Sequence, residues 1–171
     1  MAKRNILTEG NPALYKNCRS YTEFNARLAE LLDDMAETMI EADGVGLAAP
    51  QVGILRRCCV VLETNVEEDE EEYVIELVNP EIIASDGEQD GTEGCLSFPG
   101  KYGYVKRPDH VVVKACDRYG KEFLVEGYGL TARAFCHEID HLNGTVFVDL
   151  CDKLLTDEEL AALYEEEDEE E

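Results

Sequence analysis

Gly129-Leu130-Thr131-Ala132-Arg133-Ala134-Phe135-Cys136-His137-Glu138-Ile139-Asp140-His141-Leu142-Asn143-Gly144 is the stretch on which the reading of this chain turns. Its composition predicts a helix from about Gly129 to Asn143, stopped by Gly144. Inside it lies the pattern His137-Glu138-Ile139-Asp140-His141. Residues four apart stack on one helix face, so both imidazoles can reach one metal ion while Glu138 leans toward the water that such an ion holds. Two of the chain's three histidines are spent here. Asp140 is expected either to face outward or to support a ligand histidine from behind. Arg133 lies one turn before His137, where it borders a substrate side-chain pocket or faces solvent.

A catalytic metal of this type takes three protein ligands and keeps one position open. The segment continues Leu142-Asn143-Gly144-Thr145-Val146-Phe147, and a metzincin would need its third histidine where Phe147 stands. An aromatic hydrocarbon ring offers no donor, which excludes that class. His110 sits in a strand-like run without a motif and reads as a packing residue. Two options remain open at this point. Cys95, in Glu93-Gly94-Cys95-Leu96-Ser97, would bring a soft thiolate beside an unobstructed glycine. Glu158 or Glu159, beyond the helix, would instead complete a His/His/Glu set.

Outward from the helix, the apolar residues Leu28, Leu31, Leu32, Met35, Met39 and Ile40 recur at helical spacing from Phe24, with Ser20 and Glu23 as a capping box and Gly44 as a stop. Strand-like runs follow at Cys58 to Glu63 and Tyr73 to Val78, then at His110 to Cys116 and Lys121 to Val125. A last helix is expected near Thr156, where Thr156 and Glu159 form a capping box. Strands joined by hairpins, with the central helix late in the chain, give an α+β fold: antiparallel sheets packed around that helix, plus a C-terminal helix. Residues 1–164 are expected to form a single catalytic domain and 165–171 a disordered acidic tail, fraying from Glu165. Gly44-Val45-Gly46-Leu47-Ala48-Ala49-Pro50-Gln51 lacks the Lys-Ser/Thr ending of a phosphate loop. Its small residues suit close passage of another backbone or of a substrate chain.

The chain has 171 residues with 39 Asp+Glu against 15 Lys+Arg, a net charge of −24. The runs Glu67 to Glu72 and Glu165 to Glu171 hold 13 of those carboxylates, and setting them aside leaves −11. They read as a solvated hairpin loop and a solvated tail. An acidic surface repels phosphate backbones, so direct nucleic-acid binding is disfavoured. No apolar run approaches a membrane span, and Met1-Ala2-Lys3-Arg4-Asn5-Ile6 has no signal-type apolar region behind it, so a cytoplasmic location is expected. Seven cysteines, an odd number, suit a reducing compartment. Cys18, Cys58, Cys59, Cys116, Cys136 and Cys151 read as small core residues.

Taken together, three segments resemble the peptide deformylase family, whose motifs look like G-x-G-L-A-A-x-Q, E-G-C-L-S and H-E-x-D-H. They stand here in that order at Gly44 to Gln51, Glu93 to Ser97 and His137 to His141, and the similarity runs from Arg4 through Leu150. The resemblance implies a metal held by Cys95, His137 and His141, with Glu138 as general acid/base. It implies that Gln51 and the Leu96 N–H polarise the formyl oxygen, and that backbone groups of Val45, Gly46 and Gly94 pair with the substrate. The implied activity is removal of formate from the N-terminal formylmethionine of newly made polypeptides. Fe²⁺ is the implied ion, with Zn²⁺, Ni²⁺ or Co²⁺ as substitutes. The family commonly has Gln where Cys136 stands. Some members contact the ribosome through a basic C-terminal helix, and here that segment is acidic.

Overall fold

The computed structural model describes residues 2–170, with side chains described through Glu166. Two antiparallel sheets carry the chain. The larger has the order β1-β2-β3-β6-β7, built from β1 (Gly46–Ala48), β2 (Cys58–Glu63), β3 (Tyr73–Asp86), β6 (His110–Cys116) and β7 (Glu122–Tyr128). The smaller has the order β4-β5-β8, from β4 (Gln89–Gly94), β5 (Tyr102–Arg107) and β8 (Leu154–Leu155). Three α-helices complete the fold: α1 (Ala26–Glu41), α2 (Leu130–Leu142) and α3 (Asp157–Glu170).

β2 shows why the large sheet sits between two helices. Cys58-Cys59-Val60-Val61 is an unbroken apolar run, and all four residues are fully buried. Successive side chains point to opposite faces, so Cys59 and Val61 join Phe135 and Ile139 beneath α2, while Cys58 and Val60 join Leu28, Leu32, Met35 and Met39 of α1. A third cluster, Leu14, Phe98, Val105, Val146 and Phe147, packs under the small sheet.

Several boundaries differ from the sequence reading. The cap of α1 is Asn25, whose Oδ1 accepts from the Leu28 N–H at 3.2 Å, so the Ser20/Glu23 box is not used. Asp43, not Gly44, takes the left-handed turn after α1, at φ 58°. Gly44 is small for another reason: a Cβ there would lie 2.7 Å from the Leu96 side chain. β3 continues past Val78 to Asp86 because the Asn79-Pro80 pair is absorbed in a bulge, with Asn79 at φ 51° and its side-chain amide bonded to both backbone polar groups of Tyr21 (2.7 and 2.9 Å). β7 runs three residues beyond Val125. Cys116 and Cys151 are half-buried, whereas Cys18, Cys58, Cys59 and Cys136 are core residues.

Other expectations hold. β2 and β3 are joined by the acidic run 67–72, which lies exposed at the end of their hairpin. Gly144 ends α2 at φ 76°, where a Cβ would meet the Tyr15 carbonyl oxygen at 2.8 Å. Thr156 caps α3, its Oγ accepting from the Glu159 N–H at 3.2 Å. α3 spans Asp157–Glu170, and Glu171, the last residue of the acidic tail, lies outside the described residues. No helix of the described residues is long and apolar enough to cross a membrane.

Candidate metal centre and its cleft

α2 is buried along almost its whole length, from Thr131 to Ile139. Gly127 of β7 makes that approach feasible, since a Cβ there would sit 2.6 Å from the Phe135 ring. The helix thereby presents His137 and His141 into the interior, their rings edge-to-face with centroids 4.8 Å apart and their Nε2 atoms 3.2 Å apart. Cys95 arrives from the tight turn that follows β4, closed by the Phe98 N–H on the Cys95 carbonyl at 3.0 Å. Its Sγ lies 3.4 Å from His141 Nε2.

One donor atom from each of Cys95, His137 and His141 falls within 4.8 Å of the others. Metal–nitrogen and metal–sulfur bonds of about 2.1 and 2.3 Å imply tetrahedral edges of roughly 3.4–3.6 Å, and the separations of 3.2 Å between the two Nε2 atoms and 3.4 Å between Sγ and His141 Nε2 lie within about 0.2 Å of those edges. Two adjacent Nε2 atoms and a thiol sulfur offer donors suited to an ion and little satisfaction to one another. Burial and the neighbouring His137 charge push His141 well below the ordinary imidazole range. Glu158 and Glu159, the other ligand candidates, belong to no such cluster among the described residues, and Glu159 is engaged with Thr156 and Lys153 instead.

Behind the ligands stands a buried network of charges. Glu93, 5% exposed, receives His137 Nδ1 on Oε1, and Arg107 grips it twice, through Nη2 at 2.7 Å and Nε at 3.1 Å. Arg133 Nη1 adds a bond to Glu93 Oε2 at 2.8 Å and another to the Val105 carbonyl at 2.9 Å. Arg107 also reaches Asp140 at 2.7 Å, so Asp140 supports His137 indirectly, through Arg107 and Glu93. Burial opposes the Glu93 charge, but the bonds from His137 and Arg107 prevail and hold its pKa down to about 2. Arg133 is therefore buried, lining the cleft, and does not face solvent. Cys136, also buried, has its thiol raised to about 11 by burial.

The centre lies in a cleft of about 510 Å³. Glu138, 4% exposed, lines it; burial pushes its pKa up to about 7, and its Oε1 has no hydrogen-bond partner. Gly46 of β1 lies so close that any Cβ would collide with the Glu138 carboxylate. Gln51, fully buried in a short turn after β1, accepts from the Ala48 N–H at 2.9 Å and donates through Nε2 to Ser97 Oγ at 3.0 Å, with Cys95 Sγ at 3.5 Å. Leu96 and Gly94 line the same cleft, as does Val45. β1 and β4 are each the end strand of their sheet, and residues of both border the cleft. Val45 spends its carbonyl on the Leu62 N–H (2.9 Å), and strand alternation turns Gly46 to the open edge.

Val45, Gly46, Gln51, Gly94, Cys95, Leu96, Arg133, His137, Glu138 and His141 thus meet at one cleft, whereas Glu158, Glu159 and His110 do not. Arg107 was not singled out from the sequence, and Glu93 and Ser97 appeared only as motif letters without a role. The fold and site define a class: single-metal hydrolytic centres built on an H-E-x-x-H helix facing a cysteine.

Comparison with known proteins narrows the class. The family model described as polypeptide deformylase matches residues 3–156. Peptide deformylase of Lachnoclostridium phytofermentans is 52% identical over 170 residues, 99% of this chain and 100% of that protein. Peptide deformylase 1 of Bacillus subtilis is 48% identical over 161 residues, 94% of this chain and 98% of the relative. Among solved structures, the peptide deformylase of Thermotoga maritima superposes with a TM-score of 0.82 at 36% identity, covering 90% of this chain and 100% of that one. That of Legionella pneumophila gives 0.80 at 46% identity, covering 88% and 87%. The chain belongs to the polypeptide deformylase family. These are metal-dependent hydrolases that remove the formyl group from N-terminal formylmethionine.

Proposed function

We propose that Cys95, His137 and His141 hold the catalytic ion, Fe²⁺ in the cell with Zn²⁺, Ni²⁺ or Co²⁺ able to replace it, and that Glu138 moves the protons of formyl-group hydrolysis. The observation that carries this reading is the convergence of three donors beside a buried carboxylate with an unpartnered oxygen, all at the cleft. When bound, the ion supplies a Lewis acid that polarises a carbonyl and lowers the pKa of water toward neutrality. Glu138 takes a proton from the attacking water and returns it to the departing amine nitrogen; burial keeps its proton affinity near the working range. Gln51 Nε2 and the Leu96 N–H stabilise the charge that grows on the formyl oxygen, and losing one such donor costs about 10²–10³ in rate. Ser97 and the Ala48 N–H hold the Gln51 amide in orientation beforehand.

The substrate enters as an extended peptide added at the open strand edges, pairing with backbone groups of Gly46 and Gly94, while Val45, whose carbonyl is taken by the Leu62 N–H, lines the cleft beside it. Its first side chain lies over α2 beside Arg133, whose guanidinium is neutralised by Glu93. The natural substrates are N-formylmethionyl nascent chains met in the cytoplasm, with a transient ribosome contact that the acidic α3 does not provide through positive charge. Formate release from a formyl-Met peptide, measured anaerobically with defined metals, tests the assignment. Glu138→Ala is expected to retain its metal and lose nearly all turnover. Metal and activity that survive Cys95→Ala would overturn the ligand set.

A further inference from the structure

The N-terminal segment, residues 2–11, belongs to neither sheet and to no helix, yet its backbone is anchored at both ends. The Ala2 N–H donates to Asp34 Oδ1 at 2.7 Å and the Arg4 N–H to Thr38 Oγ1 at 2.9 Å, which fixes its start on α1. Ile6 packs on the apolar cluster that holds Leu47 and Ala49, and Leu7 on the one that holds Phe98 and Phe147. Beyond them the chain makes two bonds on the side of the cleft that carries Gln51. The Leu7 N–H donates to the Gln51 carbonyl at 2.7 Å, and the Glu9 N–H donates to the Ser97 carbonyl at 2.9 Å. Gln51 and Ser97 sit in separate turns, one after β1 and one after β4, and these turns share no backbone hydrogen bond among the described residues. Both acceptor residues are buried, at 1% and 0% exposure, so water does not readily replace a lost donor.

Resting on the deformylase reading, we propose that Leu7 and Glu9 are positioning residues whose backbone N–H groups brace the Gln51 turn against the Ser97 turn, and so hold the Gln51 amide where charge grows on the formyl oxygen. Two residues of chain span at most about 7 Å, so the brace limits how far the two turns can part. That separation matters because Ser97 Oγ holds Gln51 Nε2 at 3.0 Å, a contact made across 46 residues of sequence that lasts only while the turns keep their distance. The brace touches neither substrate nor reacting atoms; it acts through Ser97. Complete loss of an oxyanion donor costs about 10²–10³ in rate, and misplacing a catalytic group by about 1 Å costs up to about 100-fold. A loosened turn falls short of either limit, at about 10-fold in kcat. Substrate binding rests on the strand edges, so KM is expected to hold.

The local backbone allows one brace bond to be removed alone. Thr8, Glu9, Gly10 and Asn11 form a turn closed by the Asn11 N–H on the Thr8 carbonyl at 3.2 Å, with Gly10 at φ 93° and Glu9 at negative φ. That is the type II pattern, which favours proline at its second position, so Glu9→Pro deletes the N–H and keeps the turn. Lys101→Met is the control: it breaks the 2.6 Å ion pair with the Glu9 side chain and leaves the N–H in place. Formate release from formyl-Met-Ala-Ser by the metal-loaded enzyme, a competitive metal titration and urea unfolding are read on each protein. Glu9→Pro is expected to lose about 10-fold in kcat, with KM and metal affinity within about 2-fold of wild type and the urea midpoint unchanged. Lys101→Met is expected to stay within about 2-fold throughout. In a Gln51→Ala background, with no amide left to position, the Glu9→Pro loss is expected to shrink to about 2-fold. An unchanged kcat, an undiminished loss in the Gln51→Ala background, a parallel fall in metal affinity or urea midpoint, or the same loss in Lys101→Met overturns the brace, while wild-type turnover leaves the deformylase reading standing. Should Glu9→Pro not fold, Ser97→Ala removes the contact through which the brace acts, and a wild-type kcat there overturns it equally. No formate from the wild-type enzyme overturns both.

Discussion

Arg107 and Arg118 are each clamped between two carboxylates, yet the two clusters sit in opposite settings. Arg107 bridges Glu93 and Asp140 between the small sheet and α2, with side-chain exposures of 7% for Arg107, 4% for Glu93 and 29% for Asp140, so the buried part of the cluster is the Arg107–Glu93 pair. Arg118 bridges Glu76 of β3 and Asp33 of α1 at 2.6 and 2.7 Å, with exposures of 23%, 25% and 40%. Contact geometry is alike, and bond length therefore does not rank them. The difference is solvent. Water stands ready to replace any partner lost at Arg118, whereas a charge stranded beside Glu93 has none. The interior cluster also ends on His137 Nδ1, so it orients a metal ligand as well as holding two elements together.

The sharpest way to break the comparison is Arg107→Met. Removing one partner of a buried ionic cluster costs about 3–5 kcal/mol, and loosening the support of a ligand histidine lowers metal affinity by about 10–100-fold. Urea unfolding of the metal-free protein and a competitive metal titration read the two effects separately. Leu32→Ala supplies the apolar control on the other face of the sheet. Leu32 is fully buried among Leu28, Met35 and Met39, so a cost of about 2–5 kcal/mol is expected, with metal affinity unchanged. A fall in metal affinity equal to that of Arg107→Met would show that stability loss alone weakens the centre.

Asp34 on α1 is an intermediate case. Its carboxylate accepts from the Ala2 N–H at 2.7 Å and from Arg4 Nε at 3.0 Å, which tie the N-terminal segment to the helix. The Ala2 bond, followed by Arg4, holds its pKa below the ordinary range despite burial. A depressed folded pKa contributes stability above the unfolded carboxyl value of about 3.9, and that contribution is lost as pH falls through the folded value. Asp34→Asn is expected to cost about 1–2 kcal/mol near neutrality. The gap from wild type is expected to stay constant down to about pH 5 and to close below about pH 4. Urea midpoints across that range measure it, and a gap that widens in acid would reverse the sign argued here.

What the sequence made legible follows the same division between apolar and charged interiors. Cys58 to Glu63 and His110 to Cys116 stand in the structure with the boundaries read from their residues, because burial on one or both faces imposes an apolar pattern. β4 escaped notice: Gln89-Asp90-Gly91-Thr92-Glu93-Gly94 has no apolar alternation, and its glycines accommodate Arg133 and Tyr102 from neighbouring elements. His137 and His141 were legible because ligand chemistry restricts residue type and spacing, whereas Cys95 stood open beside Glu158 and Glu159 until the three motifs were taken together as a family resemblance. Glu93, Arg107 and Arg133 form their cluster across 40 residues of sequence, and a charged residue read alone implies solvent. Only the fold reveals that these charges are interior and paired.

Arg118→Met tests the surface end of the comparison and carries the smallest expected effect. Exposed ion pairs contribute about 0.2–1 kcal/mol each, and the methionine stem retains part of the packing that the arginine stem gives β3 and α1. The loss should therefore stay near 1 kcal/mol. It should also shrink between 0.05 and 0.5 M salt, since the Debye length contracts from roughly 14 to 4 Å over that range. Arg107→Met should show a smaller salt dependence, because Arg107 and Glu93 are shielded from ions by protein, although Asp140 is partly exposed. Urea unfolding of both variants at the two salt concentrations decides the matter. Equal salt sensitivity would mean that water reaches Glu93 as freely as it reaches Glu76, and the contrast between the two arginine clamps would disappear.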